Sequence, residues 1–303
     1  MIGLIDADLI VFRAGFAAER NLWFLKLMYG RQSEFEPDTV QEFQYKKDAN
    51  AALDKALPGI HSRVEGEDYQ LWSERKLEPV ENALHNVNVQ VNKIKDALSL
   101  NDDDLHMFLS GGENYRFAIA KTRPYKGTRD KSHRPTHEHA IKKFISTKWR
   151  TTTTDGIEAD DALGIAQTDE TIIISIDKDL DMIPGKHYNF MHDVAYEISE
   201  SEAQRAFALQ MLMGDSTDCI PGLPKVGKKK AESILEGVEI EELIPTVVRE
   251  YASRAGENWW EYMHEQAQLL WIQREPDQLY TFDESYNDYG GEPDDAITTD
   301  LFG

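Results

Sequence analysis

The chain has one cysteine in 303 residues, Cys219. That excludes a disulfide framework and fits a reducing cytoplasm. No apolar run approaches the roughly 20 residues a membrane helix needs, so no membrane partner is expected. The start, "MIGLIDADLIVF", has no basic residue and carries two aspartates inside its apolar run, unlike a secretory leader. Histidines number nine, and only His133, His137 and His139 sit close together, so with a single cysteine no structural zinc site is expected. "GLPKVGKKKA" has glycines and lysines without the spacing of a phosphate-binding P-loop. No Ser/His/Asp or Cys/His nucleophile pattern is evident. Basic residues are absent from 275–303, where nine acids stand.

Charge is abundant but uneven. The net charge of −22 argues at first against an anionic partner. Residues 121–150, however, hold ten Lys/Arg against Asp130 and Glu138, a local +8 that is either a solvated helix face or a field that selects a partner. Three short apolar runs, "IGLID" (2–6), "LHMFLS" (105–110) and "TIIISID" (171–177), read as buried parallel strands. Helical patterns between them, such as 81–99, supply the crossovers of an α/β fold. "RTTTTDG" (150–156) reads as an edge strand, and the polar region 31–80 as mainly helical. Beyond about 200 the pattern is helical until the acidic tail near 283.

The strand ends carry carboxylates. Asp6 ends the first strand, and Asp177, Asp179 and Asp181 follow the isoleucine run. Open parallel sheets place their functional crevice at the carboxyl ends of strands. "DGIEADDALGIAQT" opens a helix with Glu158, Asp160 and Asp161, and "MGDSTD" adds Asp215 and Asp218 after a helix stop. Helix capping could account for some of these acids singly. If they converge, their repulsion calls for hard divalent cations, which take oxygen ligands. Two such ions can clamp an in-line phosphoryl displacement. The residues alone therefore reach metal-dependent phosphate chemistry, with nucleic acid as one substrate class.

The motifs "LIDADLIVFR", "RPYKGTR", "IEADD", "SIDKDLD", "MGDSTD" and "IPGLPKVGKKKA" occur in an order that resembles the 5′→3′ exonuclease/flap endonuclease superfamily, most like its stand-alone bacteriophage members. The likeness spans about 1–20 and 105–235. It implies a PIN-like, Rossmann-like nuclease domain over 1–200 with a basic helical arch near 115–150. A helical duplex-binding domain with a helix–three-turn–helix would follow over 201–282, then a tail over 283–303. By the same resemblance Asp6, Glu158, Asp160 and Asp161 hold one Mg²⁺, and Asp177, Asp179, Asp215 and Asp218 a second, with Mn²⁺ able to substitute. Lys126 and Arg129 would meet the scissile phosphate, with Arg13 and Arg116 near it, where cations offset the charge of the transition state. Lys121 and Arg123 would add to DNA binding. Gly222 and Gly227 would let the backbone approach duplex phosphates, with a potassium ion nearby and Lys225, Lys228, Lys229 and Lys230 adding charge. Taken alone, that last segment is equally a Gly/Pro turn between helices with solvated lysines.

One position departs from the family. Its usual aspartate after the second strand falls on Gly111, with Glu113 the nearest carboxylate and a substitute ligand if it reaches in. The function implied is Mg²⁺-dependent hydrolysis of DNA from or near 5′ ends, at a flap, nick or duplex end, with RNA–DNA hybrids a further substrate. Two other classes stay open: a catalytically weak structure-specific DNA-binding protein, and a haloacid-dehalogenase-like phosphatase using Asp6 as nucleophile. The tail "DDAITTDLFG" is either disordered or a docking peptide for a replication or recombination protein.

Overall fold

The computed structural model describes residues 1–28, 39–58, 63–128 and 134–290. Arg129 and the tail from 291 onward lie outside these. The chain runs β1 (Ile2–Asp6), α1 (Ala7–Ala17), β2 (Glu19–Leu27), β3 (Val40–Phe43), α2 (Lys46–Ala56), β4 (Tyr69–Leu77) and α3 (Val80–Leu98). It continues through β5 (Leu105–Leu109), α4 (Arg116–Ile119), α5 (Glu138–Lys148), β6 (Arg150–Thr153), α6 (Ala159–Ala166) and β7 (Thr171–Ile174). After β8 (Gly185–Asn189) and β9 (Val194–Ile198) come α7 (Glu200–Met213), α8 (Lys228–Leu235), α9 (Leu243–Arg254) and α10 (Trp259–Leu270).

The chain divides into two compact units: 1–9, 93–133 and 145–303, and 10–92 with 134–144. The first is built on a six-stranded sheet in the order β6-β5-β1-β7-β8-β9. Neighbours from β6 to β8 run parallel, and β9 turns back antiparallel on β8. The three apolar runs form β1, β5 and β7, three of the four interior strands, and β6 and β9 are the two edges. All four residues of β7 are buried, as a parallel strand covered on both faces requires. β8 and β9 have no apolar run; His187 and Tyr188 are buried, while most of β9 is exposed. One core joins Leu4, Phe108 and Ile173 of the sheet to Leu163, Phe207, Met211, Val247, Tyr251 and Met263. The helices after residue 200 thus pack in the same unit as the sheet. Ser199 caps α7 reciprocally: it accepts from the Glu202 N–H, and the Glu202 carboxylate accepts from the Ser199 N–H.

The second unit contains an antiparallel sheet in the order β3-β2-β4. This corrects the helical expectation for 31–80: among the described residues β3 and β4 fall there, and only α2 and the first residue of α3 are α-helical. β2 and β4 pair over nine residues each. Leu25 and Leu27 of β2 pack with Leu53 and Ala56 of α2 and with Leu57. β4 is mostly exposed along its second half, so its sequence shows no apolar alternation.

Close approach fixes one loop beside the central strands. A Cβ on Gly111 would stand 2.0 Å from the Thr154 carbonyl oxygen, far inside van der Waals contact. The Gly111 N–H also donates to Thr154 Oγ1 at 3.3 Å. Gly111→Asp is therefore expected to lower unfolding free energy by about 2 kcal/mol, in the range of overpacking substitutions. Urea denaturation checks this, and a variant as stable as the parent would show that the loop yields freely.

Candidate active site

The carboxyl ends of β1 and β7 set the site. Asp6, the last residue of β1, is 4% exposed and accepts a hydrogen bond from Ser175 Oγ at 3.0 Å. Ser175 follows β7 and also accepts from the Asp177 N–H at 3.1 Å, tying the two strand ends together. Asp8, the second residue of α1, accepts from the Ser110 N–H at 2.8 Å, so the end of β5 joins the same cluster. Burial, then Asp8, then Asp177 push the Asp6 carboxyl up to about 7. Asp160 is raised by burial and by Asp6, Glu158 and Asp177. Asp179 is pushed up to about 6 by burial and by Asp177 and Asp215, although Gln210 Nε2 donates to it at 2.8 Å. Asp177 takes part in all three shifts and so connects the Asp6–Asp160 group with the Asp179–Asp215 group. Asp218 adds to the repulsion on Asp179.

Cations face part of this charge. The Lys126 ammonium forms an ion pair with Glu158 and lies 3.6 Å from Asp218. Burial alone would raise Glu158, but Lys126 and Arg116 outweigh it and hold its carboxyl below the usual value. The Tyr125 hydroxyl is 2.8 Å from both Glu158 and Asp218, which brings the α6 N-terminus and the 215–218 turn together. Lys126 adopts φ +54, a conformation costly for a side-chain-bearing residue, and its N–H donates to the Asp218 carbonyl at 2.9 Å. Glu265 of α10 secures the preceding residues, accepting from the Lys121 N–H (2.7 Å), the Thr122 N–H (2.7 Å) and Thr122 Oγ1 (2.6 Å).

Several expected residues stand differently. Asp161 is fully buried and bound in two bonds by Arg116, at 2.6 and 2.8 Å, and Arg116 is itself 3% exposed. Glu113 is exposed and is not among the main groups that raise Asp6, Asp160 or Asp179. Arg13 lies on α1 in the second unit, where its Nε donates to Gln90 Oε1. Lys121 and Arg123 are exposed. Gly222 is buried against Gly214; its N–H donates to Gln266 Oε1 and its carbonyl accepts from Tyr262, so it presents neither group to a phosphate. Gly227 caps α8 with open space around it, and Lys225, Lys228, Lys229 and Lys230 beside it are exposed. Asp8, Tyr125, Ser175 and Gln210 were not singled out from sequence. Asp8, Tyr125 and Ser175 lie inside the motifs "LIDADLIVFR", "RPYKGTR" and "SIDKDLD", which carried the available signal; Gln210 lies in none of them.

Hard oxygen donors that raise one another's pKa suit a divalent cation such as Mg²⁺ or Mn²⁺. Among the described residues no three His, Cys, Asp or Glu side chains form a ready-made ion site. Lys126 and Arg116 carry the compensating charge in this arrangement, so ion binding requires side-chain adjustment around Glu158.

No family model matches the chain. A 5′-3′ exonuclease of Buchnera aphidicola (subspecies Acyrthosiphon pisum, strain APS) is 36% identical over 97 residues, which is 27% of this chain and 34% of that protein. The chain therefore spans about a third of the length of this curated relative. Among solved structures, bacteriophage T5 5′-exonuclease with bound zinc is 19% identical, with a TM-score of 0.44 over 62% of this chain and 78% of that one. A complex of the bacteriophage T5 flap endonuclease with DNA and metal ions is 17% identical, with a TM-score of 0.40 over 62% and 90%. In motif order and in the sequence of the curated relative, the chain resembles the 5′→3′ exonuclease/flap endonuclease superfamily.

Proposed function

We propose that this chain hydrolyses DNA phosphodiester bonds from or near 5′ ends, using two divalent ions held by its carboxylates. The observation that supports the reading is that Asp6, Asp160 and Asp179, from three separate segments, are each raised by burial and by the nearby charge of Asp177. Asp6, Glu158 and Asp160 would hold one ion; Asp177, Asp179, Asp215 and Asp218 would hold the other. Bound there, Mg²⁺ or Mn²⁺ supplies Lewis acidity, a lowered pKa for its water and a counter-charge for the leaving oxygen. Among the described residues Lys126 is the cation best placed to meet the phosphate, and Tyr125 orients Glu158 and Asp218 through its hydroxyl. A phosphatase using Asp6 as a covalent nucleophile fits less well. It gives no role to Asp160, Asp179 and Asp215, whose carboxylates crowd the same site, or to the exposed lysines at the start of α8.

Duplex binding is assigned to the start of α8. Three lysines in the first turn oppose the positive end of the helix dipole, an unfavourable placement unless an anion sits there. Gly227 leaves open space for such an anion to approach. A preference for flaps or nicks, action on RNA–DNA hybrids and a partner for the tail are extensions of the same reading.

Two tests separate chemistry from binding. Asp177→Asn and Asp179→Asn are each expected to lower cleavage by roughly 100-fold or more, as when a group that tunes a metal site is lost. Their affinity for DNA in EDTA should stay at the parent value or rise, because removing acids does not weaken attraction to phosphate. Full activity in either variant contradicts the two-ion reading. Replacing Lys228, Lys229 and Lys230 together with Ala should weaken binding on every sequence and flatten the slope of log K against log salt. An unchanged slope would mean that those lysines face solvent only.

A further inference from the structure

Arg116 and Asp161 are both expected, by family resemblance, to touch the reaction: one near the phosphate, the other on a metal. Their surroundings leave no room for either role. Both Asp161 oxygens are fully engaged. Oδ1 accepts from Arg116 Nη2 (2.8 Å) and the Gln273 N–H (3.1 Å), and Oδ2 accepts from Arg116 Nη1 (2.6 Å) and the Glu158 N–H (3.1 Å). The guanidinium is equally occupied. Nε donates to the Leu269 carbonyl at 2.9 Å and Nη2 to the Trp271 carbonyl at 2.7 Å. Its flat face lies against the Tyr115 ring, 4.7 Å from the centroid.

These bonds join three pieces of chain: α4, the first turn of α6, and the segment that leaves α10. Contact between the last two is tight, since a Cβ on Gly164 would stand 2.3 Å from the Gln273 carbonyl oxygen. Through its bond to the Glu158 N–H, Asp161 fixes the residue whose carboxylate faces Lys126 and Tyr125. Asp160, which joins the repulsive group at Asp6, lies between them on the same turn.

We infer that Arg116 and Asp161 form a positioning pair that anchors the Glu158–Asp160 turn to segment 269–273, and that neither touches substrate or metal. The C-terminal segment is thereby part of the catalytic scaffold. A guanidinium suits this role better than an ammonium, because its planar fork serves a carboxylate and two carbonyls at once.

The inference rests on the nuclease reading, and a double-mutant cycle tests it separately. Arg116→Lys, Asp161→Asn and the double variant are assayed for cleavage of a 5′-labelled flap substrate. Mn²⁺ binding to the free protein is followed by calorimetry, and DNA binding in EDTA across a salt series. Each single variant should lose roughly 10- to 100-fold in kcat, typical of residues that orient metal ligands. The double should lose no more than the worse single, because both changes break one unit. Mn²⁺ affinity should fall equally in both singles, and the DNA salt slope should match the parent. A fall in Mn²⁺ affinity confined to Asp161→Asn would make that residue a ligand and overturn the inference. A salt slope reduced by about one in Arg116→Lys would make it a phosphate contact, with the same consequence. Losses that add across the cycle would mean two independent roles.

If a single variant fails to fold, Arg116→Met combined with Asp161→Leu leaves no lone buried charge. That variant should bind DNA as the parent does, cleave poorly and bind Mn²⁺ weakly; parental cleavage would refute the pair's role. If the parent protein itself does not cleave, the nuclease reading fails, while the Mn²⁺ arm still tests the pairing.

Discussion

Like charge held partly out of water is the constraint on which the site depends. Asp6 stands at the end of a strand paired on both sides, so the sheet fixes its place and gives it no room to retreat. Asp160 and Asp179 are brought toward it by a helix start and by the turn after β7. Their pKa values rise first because burial strips water from the ionised forms, and then because neighbouring carboxylates, Asp177 among them in each case, repel the charge. A carboxyl whose folded pKa exceeds its unfolded value favours the fold below the unfolded pKa, and loses that contribution as pH climbs through the folded one. For Asp6 this window runs from 3.8 to about 7, so at neutral pH its ionised form weighs against folding. A fold keeps such an arrangement at a cost in stability, which a bound cation would offset.

The remaining features distribute counter-charge around that cluster. Lys126 and Tyr125 reach it from a short turn pinned to Asp218, and Glu265 steadies the residues just before. Arg116 neutralises Asp161 in the interior. A carboxylate already satisfied by an arginine and two N–H groups has little to offer an ion, whereas one facing other carboxylates has much. By this criterion the acids of "IEADD" divide: Asp160 belongs to the repulsive group, Asp161 to an internal tie, and Glu158 lies between the two, beside Lys126.

This division also marks what sequence could convey. The apolar runs at 2–6, 105–110 and 171–177 identify the central strands, since a parallel strand buried on both faces needs such a run. The carboxylates beyond those runs follow from the same logic. Spacing alone does not separate Asp161 from Asp160, because adjacent residues on a helix point to different sides and only the tertiary partner shows which side is buried. Gly222 was expected to approach phosphates, yet its left-handed φ of +62 and its clash distances serve packing against Gly214. The sheet of β2, β3 and β4 was illegible for another reason. Its strands alternate weakly and expose most of β4, so the period-2 signal that marks a half-buried strand is missing.

The activity proposed for the carboxylate cluster is metal-dependent cleavage at DNA 5′ ends. Its most direct test is a time course of the purified protein on 5′-labelled single-stranded, duplex and flap DNA, with Mg²⁺ or with EDTA. The account predicts short labelled nucleotides or oligonucleotides carrying the 5′ end in Mg²⁺, and intact substrate in EDTA. Stable DNA binding without cleavage in Mg²⁺, or release of inorganic phosphate alone, would contradict it.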